Sequence, residues 1–319
     1  MSIKKSFEEK LHKTTVFRRA VQFTAFVIIN YVIIEMIFTI NLLSFEQFLK
    51  VQPVQNSPRN PLSKGVGFVE LMFYSIAEGE FPLLLLGIFI LLILFTNRFF
   101  CGWICPIGTI QDCLAAVPTG KSKKKVSKDT HQFLLKLKYA IVVILLIVIA
   151  PLGFIKTTDK ESYNDYRDNL GPIAEKPVSF FSLSEYIFVF FPNMITEIYE
   201  NWEEKFLEPL FTDFWIMFMF FFYLIVIICA VYYPRTYCRY LCPFGALSSV
   251  VNEYSFLKLS RSPVKCVGRA DCGICERVCP MQIRILDEPF EFFTGDGECI
   301  YCLKCKESCP YKAIYIKFG

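Results

Sequence analysis

Histidine is nearly missing from this chain: among 319 residues there are two, His12 and His131. Both lie near basic residues and outside the long apolar runs, so no pair of imidazoles can hold a haem within a bilayer, and a cytochrome b is excluded. No Cys-x-x-Cys-His run occurs either, which removes covalent haem attachment. Charge is also sparse, with 20% of residues charged and a net charge of +4. The basic residues cluster beside apolar segments and do not line one face, so no nucleic-acid partner is expected. What is abundant is apolar: 54% of residues are hydrophobic and 17% aromatic. A mean hydropathy of +0.42 is more than a soluble domain of this size tolerates.

Four stretches are long enough to cross about 30 Å of hydrocarbon as helices of roughly 20 residues: 21–43, 81–100, 134–154 and 211–233. The first follows Arg18 and Arg19 without a small-residue cleavage site, which predicts a retained helix and not a leader. Lysine and arginine set the expected orientation. The segment carrying Lys4, Lys5, Lys10, Lys13, Arg18 and Arg19, and the loop carrying Arg98, the 121–128 cluster, Lys136 and Lys138, belong in the cytoplasm. Residues 52–57 and 159–169 then face outward, and both termini are cytoplasmic in a multi-pass protein of the cell (inner) membrane, with lipid as its surroundings. The run from Lys121 to Lys125 suits topology and lipid headgroups. Glu35 and Asn30 fall in the first stretch, where an ionisable group is a functional candidate, although Glu35 is near the end that reaches water.

The chain repeats itself. Arg98-Phe-Phe-Cys101-Gly-Trp-Ile-Cys105-Pro106-Ile-Gly108 matches Arg235-Thr-Tyr-Cys238-Arg-Tyr-Leu-Cys242-Pro243-Phe-Gly245 at every offset that carries Arg, Cys, Pro or Gly. Two parallel repeats about an axis along the membrane normal are expected. A weaker echo, Phe68-Val-Glu70 against Leu183-Ser-Glu185, predicts short interfacial helices. Within each motif the cysteines stand at i and i+4, which predicts one shared helical face. Proline then ends that helix and opens the next, and Arg98 and Arg235 sit where they would favour a thiolate. Cys101, Cys105, Cys238 and Cys242 form the candidate cofactor-binding quartet. A further iron-sulfur cluster, a dithiol relay and plain packing all remain open for it. Cys113 and Cys229 have no counterpart in the repeat and read as packing residues.

The remaining eight of the 14 cysteines carry a stronger signal. Cys299-x2-Cys302-x2-Cys305-x3-Cys309-Pro310 is the bacterial run for [4Fe-4S] ligation, in which the fourth cysteine serves the other cluster of a pair. Cys266-x5-Cys272-x2-Cys275-x3-Cys279-Pro280 is its partner, with a stretched first gap that needs a wider loop over 267–271. The expected ligand sets are Cys266, Cys272, Cys275 and Cys309 for one cluster, and Cys299, Cys302, Cys305 and Cys279 for the second. Zinc would use two pairs per ion and gives no reason for the crossed Cys-Pro. These spacings suit metals better than disulfides, and a reducing compartment.

With both Cys-x3-Cys-Pro-x-Gly motifs and the two-cluster tail in view, the chain resembles the four-helix polyferredoxins typified by NapH, with related segments in NosR and CcoG. The resemblance implies an α-helical membrane protein of four transmembrane helices as two parallel repeats over 1–255, plus a small α+β two-cluster ferredoxin-like cytoplasmic domain over 256–319. It implies an electron-transfer subunit of a quinone-linked membrane oxidoreductase, with quinone or another membrane carrier on one side and membrane or cytoplasmic redox subunits on the other. The alternative it leaves open is a redox maturation factor for a metalloenzyme.

Overall fold

A computed structural model describes residues 13–38, 50–55, 65–117, 125–171, 174, 176–200 and 214–319. His12, residues 39–43 of the first apolar stretch and most of the 121–125 basic run lie outside them.

The chain opens with α1 (Lys13–Ile29) and α2 (Val32–Phe38), bent by 78° at the break between them. Asn30 sits at that break, fully buried, with its side-chain amide donating to the Phe26 carbonyl at 2.8 Å. Its role in the apolar stretch is thus to occupy a carbonyl at a helix end. Glu35 follows in α2, half-buried. Two short strands, β1 (Val51–Gln52) and β2 (Val66–Gly67), pair in parallel and lead into α3 (Phe68–Ala77) and α4 (Leu83–Thr96). After them come α5 (Phe99–Trp103), α6 (Pro106–Leu114), the long α7 (Lys128–Thr158) and α8 (Lys160–Leu170). A second short-helix region holds α9 (Leu183–Glu185), a π-helical turn over Tyr186–Phe190, and α10 (Phe191–Glu200). Helices α3 and α9 are the two echo segments, and Glu70 and Glu185 are both buried in them.

The second repeat is α11 (Phe214–Tyr232), α12 (Thr236–Tyr240) and α13 (Pro243–Asn252). The two copies pack crosswise. Helix α4 of the first lies on α13 of the second, with Phe89 edge-on to Phe244 at 5.7 Å, and α11 of the second lies on α6 of the first. Helix α1 covers α6 just as α7 covers α13.

By length and composition, α7 is the one described helix sufficient to cross a membrane, with α1 and α2 together as a bent second candidate. It exposes Val143, Ile144, Ile147 and Phe154, an apolar face that a soluble fold would cover. Where four spans are expected, α4 has 14 residues and ends at Asn97, which takes a left-handed backbone at φ 59°. The apolar stretch 216–232 of α11 is likewise shorter than 18 residues.

The tail is built on β3 (Leu257–Arg261) and β4 (Ile314–Phe318), antiparallel with Leu257 opposite Phe318 and Arg261 opposite Ile314. Between them lie one-turn helices α14 (Gly268–Asp271), α15 (Ile274–Val278) and α16 (Lys304–Glu307). The stretched gap after Cys266 is therefore taken up by the turn of α14.

Candidate metal centres

The tail encloses two cavities, each with four cysteines in its wall. One is lined by Cys266, Cys272, Cys275 and Cys309, and one by Cys279, Cys299, Cys302 and Cys305. These are the two quartets expected from spacing, with the fourth cysteine of each run crossing to the other cavity. Leu259, Ile283, Ile285, Phe293 and Ile300 close the second cavity against water. Among the described residues, no three Cys, His, Asp or Glu side chains converge on a single ion.

The repeat motifs depart from the expected helical face. Cys101 is in α5 and Cys238 in α12, but Cys105 and Cys242 are extended, at ψ 124° and 116°, between those helices and the next. Proline then takes the first position of α6 and α13, where its missing N–H and fixed φ are suited to a helix start. The turn has the same form in both copies: Cys105 N–H donates to the Phe100 carbonyl at 2.8 Å, and Cys242 N–H to Tyr237 at 3.0 Å. All four cysteines are buried, and ionisation of Cys242 is opposed by Cys238, Cys101 and Cys105. Each of the four lies within electrostatic range of the other three.

Three of the four Cys-Pro cysteines accept a main-chain N–H from the turn that proline creates. Gly245 donates to Cys242 Sγ at 3.3 Å, Ile283 to Cys279 at 3.4 Å and Ala313 to Cys309 at 3.3 Å. Gln111 adds a side-chain amide to Cys238 at 2.9 Å. Such donors tune a ligating sulfur.

As the sequence suggests, Arg235 and Arg98 both favour the Cys238 thiolate, but burial outweighs them. Burial pushes the Cys105 thiol up to about 12, with Cys238 and Cys101 adding to it, and burial likewise raises Cys238 despite the nearby Arg235. Cys113 is exposed and Cys229 half-buried, so Cys113 does not pack in the interior as expected.

The two arginines also hold carboxylates. Arg235 makes a forked ion pair with Asp112, Nε to Oδ1 at 3.0 Å and Nη2 to Oδ2 at 2.8 Å, and donates to the Cys101 carbonyl at 2.6 Å. Arg18 of α1 reaches the same carboxylate at 3.0 Å. In the second repeat the position matching Asp112 is Ser249, and the carboxylate comes from the tail: Glu298 accepts from Arg98 at 3.0 Å and pairs with Lys138 of α7. Each repeat therefore seats one buried carboxylate between a motif arginine and a cation from the covering helix. A side chain at Gly108 would meet Arg235, and one at Gly245 would meet Arg98, which explains the motif glycine. Burial raises both carboxyl groups, but Arg235 and Arg18 hold Asp112 well below the usual range, and Arg98 and Lys138 lower Glu298.

Glu298 precedes Cys299, so this pairing seats the second tail quartet against the first motif. A Cβ at Gly102 would come within 2.2 Å of the Ile300 carbonyl, and one at Gly297, which has φ +77°, within 1.9 Å of the Ser249 carbonyl. Trp103 Nε1 donates to the Tyr301 carbonyl at 2.9 Å, and Asn252 to Gly297 and Cys299 at 2.7 and 3.1 Å. The residue beside Cys101 thus touches the residue beside Cys299.

Gly102→Val is expected to lift this contact and to lower amide-exchange protection factors across 297–302, with the cavity at Cys266 unchanged. Unchanged protection at 297–302 would contradict the close approach. In the unaltered chain those factors should hold from about pH 8 to pH 5. A carboxylate with a depressed folded pKa contributes stability above its unfolded value, near 4, and loses it only as pH falls below that.

Comparison with known proteins bears on the same residues. The family of the "4Fe-4S binding domain" matches twice, at 79–128 and 215–262, and that of the "4Fe-4S dicluster domain" matches 265–314. The putative electron transport protein YccM of Escherichia coli is 28% identical over 245 residues, 74% of this chain and 57% of that protein. The ferredoxin-type protein NapH of Haemophilus influenzae is 22% identical over 252 residues, 75% of this chain and 70% of its own length. The chain is similar to the NapH-like polyferredoxins. These matches mark it as an iron-sulfur protein of the electron-transfer kind. An uncharacterized protein of Methanocaldococcus jannaschii is also similar, 27% identical over 70% of this chain and 66% of that protein. The chain thus spans 57% to 70% of these relatives' lengths. No solved structure matches.

Proposed function

We propose that the chain carries electrons between a carrier in the membrane, quinone foremost, and a redox subunit at the cytoplasmic face. In this reading 1–255 is a membrane unit with four crossings, two bent or short, and both termini cytoplasmic, while 256–319 is the two-cluster tail. Cys266, Cys272, Cys275 and Cys309 hold one [4Fe-4S] cluster, Cys279, Cys299, Cys302 and Cys305 a second, and Cys101, Cys105, Cys238 and Cys242 a third iron-sulfur centre. The clusters supply reversible one-electron chemistry. The chain's own residues deliver thiolates, exclude water and aim N–H groups at the sulfurs. The observation that carries the reading is that two separate cavities are each walled by a complete crossed quartet, while four further thiols meet beside the seat of the second.

Crossed ligation gives a test. Cys309→Ala should remove the paramagnetic signal of the cluster held by Cys266, Cys272 and Cys275, leaving that of its own sequence neighbours Cys299, Cys302 and Cys305. Cys279→Ala should do the converse. Loss of the signal local to each substituted run would overturn the assignment.

A further inference from the structure

Outside the cysteine sites lies a cavity of ≈ 300 Å³ where α6, the end of α11 and the tail meet. Its wall carries five cations, Arg19, Lys125, Arg239, Arg277 and Lys304, against one carboxylate, Asp112. That carboxylate is held by Arg235 and Arg18 and also pairs with Arg19 at 3.6 Å, so Lys125, Arg239, Arg277 and Lys304 leave the wall with a surplus of positive charge.

Arg239 is the informative residue. It is 1% exposed, and one nitrogen, Nη1, donates to Gln282 Oε1 at 3.0 Å. Its Nε and Nη2 have no hydrogen-bond partner among the described residues. A buried guanidinium left with two unused donors is costly, and a planar fork of this kind is suited to two oxygens of one oxyanion. The repeat sharpens the point. Arg239 stands where the first copy has Gly102, and there the tail backbone fills the space. In the second copy the same position carries a cation beside a cavity.

We propose that this cavity is a binding site for a phosphate-class oxyanion, seated on the Arg239 fork with Lys304, Arg19, Lys125 and Arg277 around it. Arg19 opens the first apolar helix and Pro234 follows α11, so the site is at the level where a lipid phosphate or a soluble phosphate could enter. Cys279 is in the same wall, which places the bound charge beside a ligand of the second tail quartet.

The test uses the full chain purified anaerobically in detergent. Saturable binding of radiolabelled inorganic phosphate, weakened about 10- to 100-fold by Arg239→Gln as for loss of a charged hydrogen-bond pair, supports the site with a soluble ligand. Phosphatidylglycerol retained in native mass spectrometry from phosphatidylglycerol nanodiscs, and lost in the variant, supports it with a lipid ligand. Since Arg239 is buried and its variant could fail to fold, Lys125→Gln/Arg277→Gln, at less enclosed positions, is measured in parallel and should weaken whichever probe binds. Binding of neither probe, or binding unchanged in the variants that fold, overturns the proposal. Retained tail-cluster absorption in the same samples keeps this outcome separate from failure of the electron-transfer reading.

Discussion

Glu298→Gln is expected to free the tail from the membrane unit, and Asp112→Asn to destabilise the unit itself, each by about 3–5 kcal/mol, because removing one member of a buried ion pair strands the other. Here each substitution strands two. Without Glu298, Arg98 and Lys138 remain buried with no carboxylate between them, and without Asp112 the same holds for Arg18 and Arg235. The two variants should differ in kind. Glu298 belongs to the tail, so Glu298→Gln should leave the membrane helices folded while the tail becomes susceptible to limited proteolysis near Phe256. Asp112 joins α1, α6 and the turn before α12, so Asp112→Asn should lower the unfolding temperature of the whole membrane unit in detergent. Equal effects of the two on tail proteolysis would show that the carboxylates do not divide the work as the geometry indicates. Glu298→Asp, which keeps the charge, should restore part of the docking.

The contrast between these carboxylates and the cysteines shows what the sequence makes legible. Eight tail cysteines and their crossing follow from spacing alone, since thiolate ligation of a cubane fixes short intervals whatever the surrounding fold. The duplicated motif is equally plain from matched offsets. Its local geometry is not, because i and i+4 imply a shared helical face only if the helix is unbroken. Here the chain leaves the helix at Ile104 and Leu241, so that proline can start a new one. Asp112, Glu298, Arg18 and Lys138 escape notice for a different reason. In sequence they look like ordinary charges at the ends of apolar runs, and Lys138 counts as a topology marker. Their pairing spans 94 to 160 residues, which no local pattern encodes. One signal was there to use: Arg98 and Arg235 recur at identical offsets, yet Asp112 is matched by Ser249. A conserved geometry with one acid missing implies that a carboxylate arrives from elsewhere, and Glu298 beside Cys299 is the one placed to supply it. The number of membrane crossings is legible only coarsely, since hydropathy marks apolar length but not the breaks at Asn30 and Asn97.

The largest functional effect is expected at the membrane quartet. Replacing Cys101 and Cys238 by serine removes two of four thiols that lie within one another's electrostatic reach, while the tail cavities at Cys266 and Cys299 keep every cysteine in their walls. Electron transfer from a reduced quinone analogue to the tail should fall below detection, while reduction of the tail clusters by dithionite should be unaffected. If quinol-driven reduction persists in the double variant, the quartet is a packing feature and electrons reach the tail by another path. Loss of transfer with unchanged metal content would instead assign the four cysteines to thiol chemistry. The measurement that separates these outcomes most directly is anaerobic determination of iron and acid-labile sulfide per chain, in the unaltered protein and in Cys101→Ser/Cys238→Ser. Three four-iron centres correspond to about twelve of each, falling to about eight in the variant. About eight in both would contradict a third centre in the membrane unit.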